Sequence, residues 1–188
     1  MIKHTIFAIA IGMLIFFLYL MQYTGAFKPI TIGLDKRGPY TLIYKEHTGA
    51  YHKIVSEIEA VEKWARENKL KCRLSFGEYF DNPKAVEEGR LRSRGGCLID
   101  PNNADESKIF DELKTKLPDG FKSDTFNETQ AIVALFSGSP GIGPLKVYPK
   151  ADSFSQENKI KRKGSVFEIY EIFDQTSMQT IYIWPILE

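Results

Sequence analysis

From Thr5 to Phe27 the chain carries no charged residue, and Thr5 to Met21 is almost wholly Ile, Leu, Phe, Ala and Met. About twenty such residues cross the hydrocarbon core of a bilayer as a helix. Residues 1–27 are therefore expected to form an N-terminal transmembrane helix, the signal anchor of a single-pass membrane protein. Tyr19 and Tyr23 lie toward its end with Lys28 just beyond, where aromatic rings and ammonium groups meet lipid headgroups. A cleaved secretory signal is the competing reading, because Thr24-Gly25-Ala26 offers small residues for a cut. The apolar run exceeds the roughly 7 to 15 residues of a signal h-region, which favours the anchor. Lys3 and the terminal amine stand on one side, with Lys28, Lys36 and Arg37 on the other. Charge bias leaves open which side of the membrane the domain faces.

Lys3 is the only charged residue among the first 27, so the remainder holds equal numbers of acidic and basic side chains. No basic footprint marks a nucleic-acid partner. The 188 residues leave room for one compact domain that needs no metal or cross-link to hold it. Cys72 and Cys97 lack the spacing of a zinc site and the count of a disulfide framework, and read as two ordinary strand cysteines. Gly141-Ile142-Gly143 is only half of a dinucleotide fingerprint, so no cofactor is expected. His47 and His52 read as surface residues beside a helix start rather than as general bases, and no Ser-His-Asp motif stands in the sequence. Asn127-Glu128-Thr129 is a glycosylation sequon, with meaning only in a eukaryotic lumen.

Pro29, Gly33, Gly38 and Pro39 mark 28–39 as a linker, and the domain is expected over 40–188. Thr41 to Lys45 reads as a strand. From Tyr51 to Asn68, Ile54, Ile58, Val61 and Ala65 recur at helical spacing, with charged residues on the other faces. Strands at 73–80 and 95–100 follow, giving β-α-β-β over about 40–100. A short helix is expected at 107–116, closed by Leu117-Pro118-Asp119-Gly120. Over about 121–188 the order repeats as an internal duplication: strand 129–136, helix 144–158 with Pro149 confining or bending it, then strands 166–173 and 180–187. The expected fold class is α+β, with duplicated β-α-β-β units forming antiparallel sheet, helices on one face and a central groove. A groove lined with aromatic rings and a few polar groups is the default small-molecule site.

The carriers of a family resemblance are Gly38-Pro39-Tyr40, His47-Thr48-Gly49-Ala50-Tyr51, Tyr79-Phe80-Asp81-Asn82-Pro83, Phe136-Ser137-Gly138, Phe167-Glu168-Ile169-Tyr170 and Tyr182-Ile183-Trp184-Pro185. In this order they resemble the GyrI-like small-molecule-binding family, the effector-binding domain of BmrR-type and Rob-type regulators. A hydrophobic helix followed directly by this domain is similar to a membrane-anchored GyrI-like receptor for autophagy of the endoplasmic reticulum. Val147-Tyr148-Pro149 to Lys159 and Asp81-Asn82-Pro83 carry that likeness. The acidic tail with the autophagy-binding motif has no counterpart here, so the receptor role is not carried over.

The resemblance implies that Glu168, in the E-x-Y of the late strand, lies at the groove floor and receives cationic, aromatic ligands. Strand alternation puts Tyr170 on the same face, and Tyr182 and Trp184 on one face of the next strand. Aligning the halves on Phe80-Asp81 and Tyr170-Glu171 places Glu78 opposite Glu168, where mutual repulsion would raise one carboxyl pKa. With Tyr44, these six residues are the candidate ligand contacts. The leading expectation is a membrane-tethered binding domain for amphipathic or cationic aromatic molecules. The alternatives are a membrane-anchored protein-interaction adaptor and a hydrolase of electrophilic small molecules, with Glu168 and Tyr182 positioning water.

Overall fold

The computed structural model describes residues 2–99, 104–172 and 178–187. Its first element, α1 (Ile2–Tyr23), is one helix long and apolar enough to cross a membrane, and its side chains are exposed rather than packed on the domain. The Thr24 hydroxyl donates to the Leu20 carbonyl at 2.8 Å, and Gly25 takes a left-handed φ of 77°, ending the helix.

The segment expected as a linker instead holds a strand, β1 (Ile30–Arg37). It is followed by β2 (Tyr40–Thr48), a single 3-10 turn at Tyr51–Ile54, α2 (Val55–Glu67), β3 (Leu74–Tyr79), β4 (Arg92–Ile99) and α3 (Ala104–Leu113). A second strand absent from the sequence expectation, β5 (Phe121–Phe126), comes next. Then follow β6 (Thr129–Phe136), α4 (Gly143–Glu157), β7 (Val166–Ile172) and β8 (Met178–Pro185). The expected strand ends Asp100 and Phe173 lie outside the described residues. Helix α4 runs through Pro149, which sits on the exposed face, so the carbonyl it cannot bond faces outward.

All eight strands form one antiparallel sheet in the order β1-β6-β8-β7-β3-β4-β2-β5. Each β-α-β-β half supplies three adjacent strands, and the halves meet where β3 pairs with β7. The two outer strands are exchanged: β1 borders β6 of the second half, and β5 borders β2 of the first. Both are sheet edges: β5 is exposed between its end residues Phe121 and Phe126, while Ile30 and Ile32 of β1 pack against the α4 core.

One face carries α2 and α4. Val61 and Ala65 of α2 are fully buried against Ile43, Cys97 and Ile99, while Val147 and Ala151 of α4 pack on Ile132, Ala134 and Phe136. No side-chain cap closes the start of α2. A cap is worth about 1 kcal/mol, whereas each fully buried aliphatic side chain is worth roughly 1.5 to 3, so the apolar stripe holds the helix in place. Among the described residues the other face has no helix, and it closes on itself. Phe167 of β7 contacts Phe76 (4.9 Å between ring centres), Phe126 of β5 (4.6 Å) and Tyr40 of β2 (6.5 Å). Contact between strands so far apart in the sheet order requires a strong curl, with a dry core inside it.

Cys72 and Cys97 correct the sequence expectation of two free cysteines: they form a disulfide with Cα atoms 5.4 Å apart. The bond ties the turn after α2 to β4 across a separation of 25 residues. A loop of that size is worth about 3 kcal/mol in the chain-entropy account. Reduction with dithiothreitol should lower the denaturant midpoint of the detergent-solubilised chain, and Cys72→Ser with Cys97→Ser should abolish the effect of reductant.

Candidate functional site

A cleft of about 650 Å³ opens on the helical face between α2 and α4, within the size range of small-molecule sites. Ser75 and Tyr79 of β3, with Val166, Glu168 and Tyr170 of β7, make its floor. Ile54, Val55 and Ile58 line the α2 side, and Pro140, Gly141, Pro144 and Tyr148 the α4 side. Among the described lining residues none is lysine or arginine, His52 is the one basic side chain, and Glu59, Glu62, Asp81 and Glu168 are acidic. Asp81 is spoken for by Arg92, which grips it at 2.8 and 3.0 Å. The field inside the cleft is therefore negative.

Glu168 is the centre of the site. Its register partner on β3 is Gly77, so its side chain rises on the helical face, and only 3% of the residue is exposed. Tyr148 Oη donates to Oε1 at 2.6 Å and Tyr170 Oη donates to Oε2 at 3.0 Å. Tyr170 Oη is in turn 2.8 Å from Tyr79 Oη. Since the Tyr170 proton goes to Glu168, Tyr79 is the donor in that contact. Gly77 makes this chain possible: a Cβ there would press on the Tyr79 ring and hydroxyl, which lie back across it. Tyr51 packs edge-on against Tyr79 at 4.8 Å and is fixed through its hydroxyl to the Asp81 backbone.

Among the described residues no cationic side chain pairs with Glu168. Burial pushes its carboxyl up to about 7, against the pull of the Tyr148 and Tyr170 hydrogen bonds. Burial and the neighbouring carboxylate hold the Tyr79, Tyr148 and Tyr170 phenols above their ordinary range, so all three remain donors. Such a site can stabilise one positive charge at its floor and face it with aromatic rings.

Of the six expected contacts, the structure brings Glu168 and Tyr170 into the cleft. Tyr182 lies beside Glu168 on β8 but is fully buried under α4, where a Cβ on Gly143 would strike its hydroxyl. Among the described residues Glu168 takes its hydrogen bonds from Tyr148 and Tyr170, and no direct bond joins it to Tyr182. Trp184 stacks on Tyr182 at 5.9 Å and meets Tyr148 edge-on, behind the cleft wall. Glu78 does not enter the cleft. It points to the opposite face, bonded to Arg94 at 2.6 Å and to Ser165. Tyr44 is on that face too, under the Arg94 guanidinium at 4.6 Å. Tyr51, Tyr79 and Tyr148 are the site residues that the sequence did not single out. All three stand in the motifs that carry the family resemblance, and Tyr148 is also a tyrosine where the helical pattern asks for an aliphatic residue.

The sequence matches no protein-family model and no curated protein. Solved structures do share the fold. The C-terminal domain of EcmrR has a TM-score of 0.59 and 10% identity over 85% of this chain and 98% of its own. EcmrR in its complex with DNA in EcmrR-RPo gives 0.61 and 12% over 100% of this chain and 69% of its own. SAV2435 bound to tetraphenylphosphonium gives 0.53 and 12% over 84% and 94%. The likeness is one of fold.

The raised Glu168 pKa makes stability depend on pH. Near and below pH 4.5 the carboxyl is protonated in both folded and unfolded chains and costs nothing. As pH climbs toward 7 the unfolded chain sheds the proton more readily than the folded one, so stability falls through this window and levels off above it. The loss is on the order of 3 kcal/mol at one pH unit per 1.4 kcal/mol. Denaturant midpoints of the solubilised chain at pH 5 and pH 8 should show it, and Glu168→Gln should flatten the profile across that interval.

Proposed function

We propose that the chain is a membrane-tethered small-molecule-binding domain whose cleft receives amphipathic or cationic aromatic molecules. The observation that carries this reading is Glu168: a carboxylate sealed from water, satisfied only by phenols, at the bottom of an aromatic cleft. A buried charge without a counter-charge is costly, and a bound cation supplies the missing partner. Each ring facing that cation adds roughly 0.5 to 2 kcal/mol. The fold is shared with SAV2435, which binds tetraphenylphosphonium, a cation of this kind. In this reading α1 is a retained anchor, the binding domain begins at β1 rather than at residue 40, and its two halves are copies of one ancestral β-α-β-β unit.

Tetraphenylphosphonium should raise the melting temperature of the detergent-solubilised chain, by the equivalent of about 2.7 kcal/mol at one hundred times its Kd. Binding requires the ionised carboxylate, so affinity should climb with pH to about 7 and then level off. At pH 5.5 it should be about thirtyfold weaker than at pH 8, from the fraction ionised. Glu168→Gln should remove both the shift and its pH dependence. A shift unchanged in that variant would place the cation elsewhere.

A further inference from the structure

The rim of the cleft and the end of α1 occupy the same place in the molecule. Pro140 and Gly141 are exposed and line the cleft. Ser139, immediately before them, donates its backbone N–H to the Thr24 carbonyl at 2.9 Å. On the other side of Pro144, which also lines the cleft, Lys146 Nζ donates to the carbonyls of Ala26 at 2.6 Å and Lys28 at 2.7 Å. Gly25 backs onto Gly138 so closely that a Cβ there would stand 3.0 Å from its Cα. At 3.8 Å per Cα step, cleft-lining residues lie within about 10 Å of the end of α1.

That end is at headgroup depth if α1 spans a bilayer. Tyr19 and Tyr23 stack there at 6.2 Å, and Lys28 follows. Leu145 is 77% exposed and Phe27 is 61% exposed, and the two flank the Lys146 clamp. Apolar side chains so placed gain by insertion into the interface.

We propose that the cleft loads from the membrane and that its occupant is a membrane-resident amphipathic cation of the long-chain amine class. Its head lies at Glu168 and its chain leaves past Pro140 and Val55 toward the bilayer, with Leu145 and Phe27 seating the rim among the headgroups. The proposal rests on the function proposed above and adds the source and class of the ligand. One positive charge answers the acidic floor, and an alkyl chain answers the apolar walls of Ile58, Val166 and Pro144. Glu59 and Glu62 on α2 turn away the phosphate of an ordinary phospholipid, which would meet Glu168 next.

The test uses the full chain in phosphatidylcholine vesicles doped with hexadecyltrimethylammonium brominated in its chain. Bromine beside the cleft quenches emission from Trp184, which lies 5.5 Å from the Tyr148 ring. Quenching should saturate in the wild type and vanish in Glu168→Gln. Leu145→Asp should slow transfer from vesicles at least tenfold, and Leu145→Phe should restore it. Both variants should keep the tetraphenylphosphonium shift in detergent, which reports a folded, competent cleft. An intact shift with no quenching in the wild type, or with Leu145→Asp transferring at the wild-type rate, overturns membrane loading and leaves the proposed function standing. Absence of both the shift and the quenching in the wild type overturns both.

Discussion

A carboxylate removed from water demands compensation, and this molecule shows two solutions one register step apart. Glu78 on β3 and Glu168 on β7 are both buried. Glu78 meets Arg94, which also reaches Asp124 of β5 at 2.8 Å and lies on the Tyr44 ring, so its charge is answered within the protein. Among the described residues Glu168 meets only the hydroxyls of Tyr148 and Tyr170. Two neutral donors orient a carboxylate without cancelling its charge. The first arrangement is finished and serves the fold. The second is left open toward the cleft, and that incompleteness gives the cleft a chemistry.

The architecture keeps the open charge both dry and fixed. Behind the floor, the curled sheet closes over Phe76, Phe126 and Phe167, so no water reaches Glu168 from beneath. At the sides, Tyr148 comes from α4 and Tyr170 from the same strand as the carboxylate, so the site is assembled from elements held by separate packing clusters. The strand exchange adds to this rigidity. With β1 paired to β6 and β5 to β2, sheet hydrogen bonds tie each half to a strand from the other, and the halves cannot part without breaking those ladders.

The β-α-β-β order, both packing helices and the placement of Glu168 with Tyr170 were legible because each depends on periodicity or local motif. What escaped the sequence has common physical causes. Strands β1 and β5 are edges: Gly33, Gly38 and Pro39 in and after β1 mask the alternation of Ile30, Ile32 and Leu34, and β5 has apolar residues only at its two ends. The Cys72–Cys97 bond joins residues that only the fold brings together, and spacing alone cannot report it. Glu78 was misplaced by one residue in the alignment of the halves. A one-residue slip in a strand reverses every side chain, and that turned a structural ion pair into an apparent second acid in the groove.

With the register corrected, the counterpart of Glu168 across the centre of the sheet is Gly77, and that of Tyr170 is Tyr79. The two tyrosines meet hydroxyl to hydroxyl, while the acid faces a glycine. Two carboxylates at these positions would repel, and one would hold its proton. A single acid leaves one charge to be neutralised, and the absent side chain at Gly77 gives Tyr79 the space to lie across the floor. The same substitution pattern thus sets the number of positive charges the cleft can answer and provides the aromatic surface beside them. The floor is therefore asymmetric, with the Glu168 carboxyl on the β7 side and no side chain at Gly77 on the β3 side.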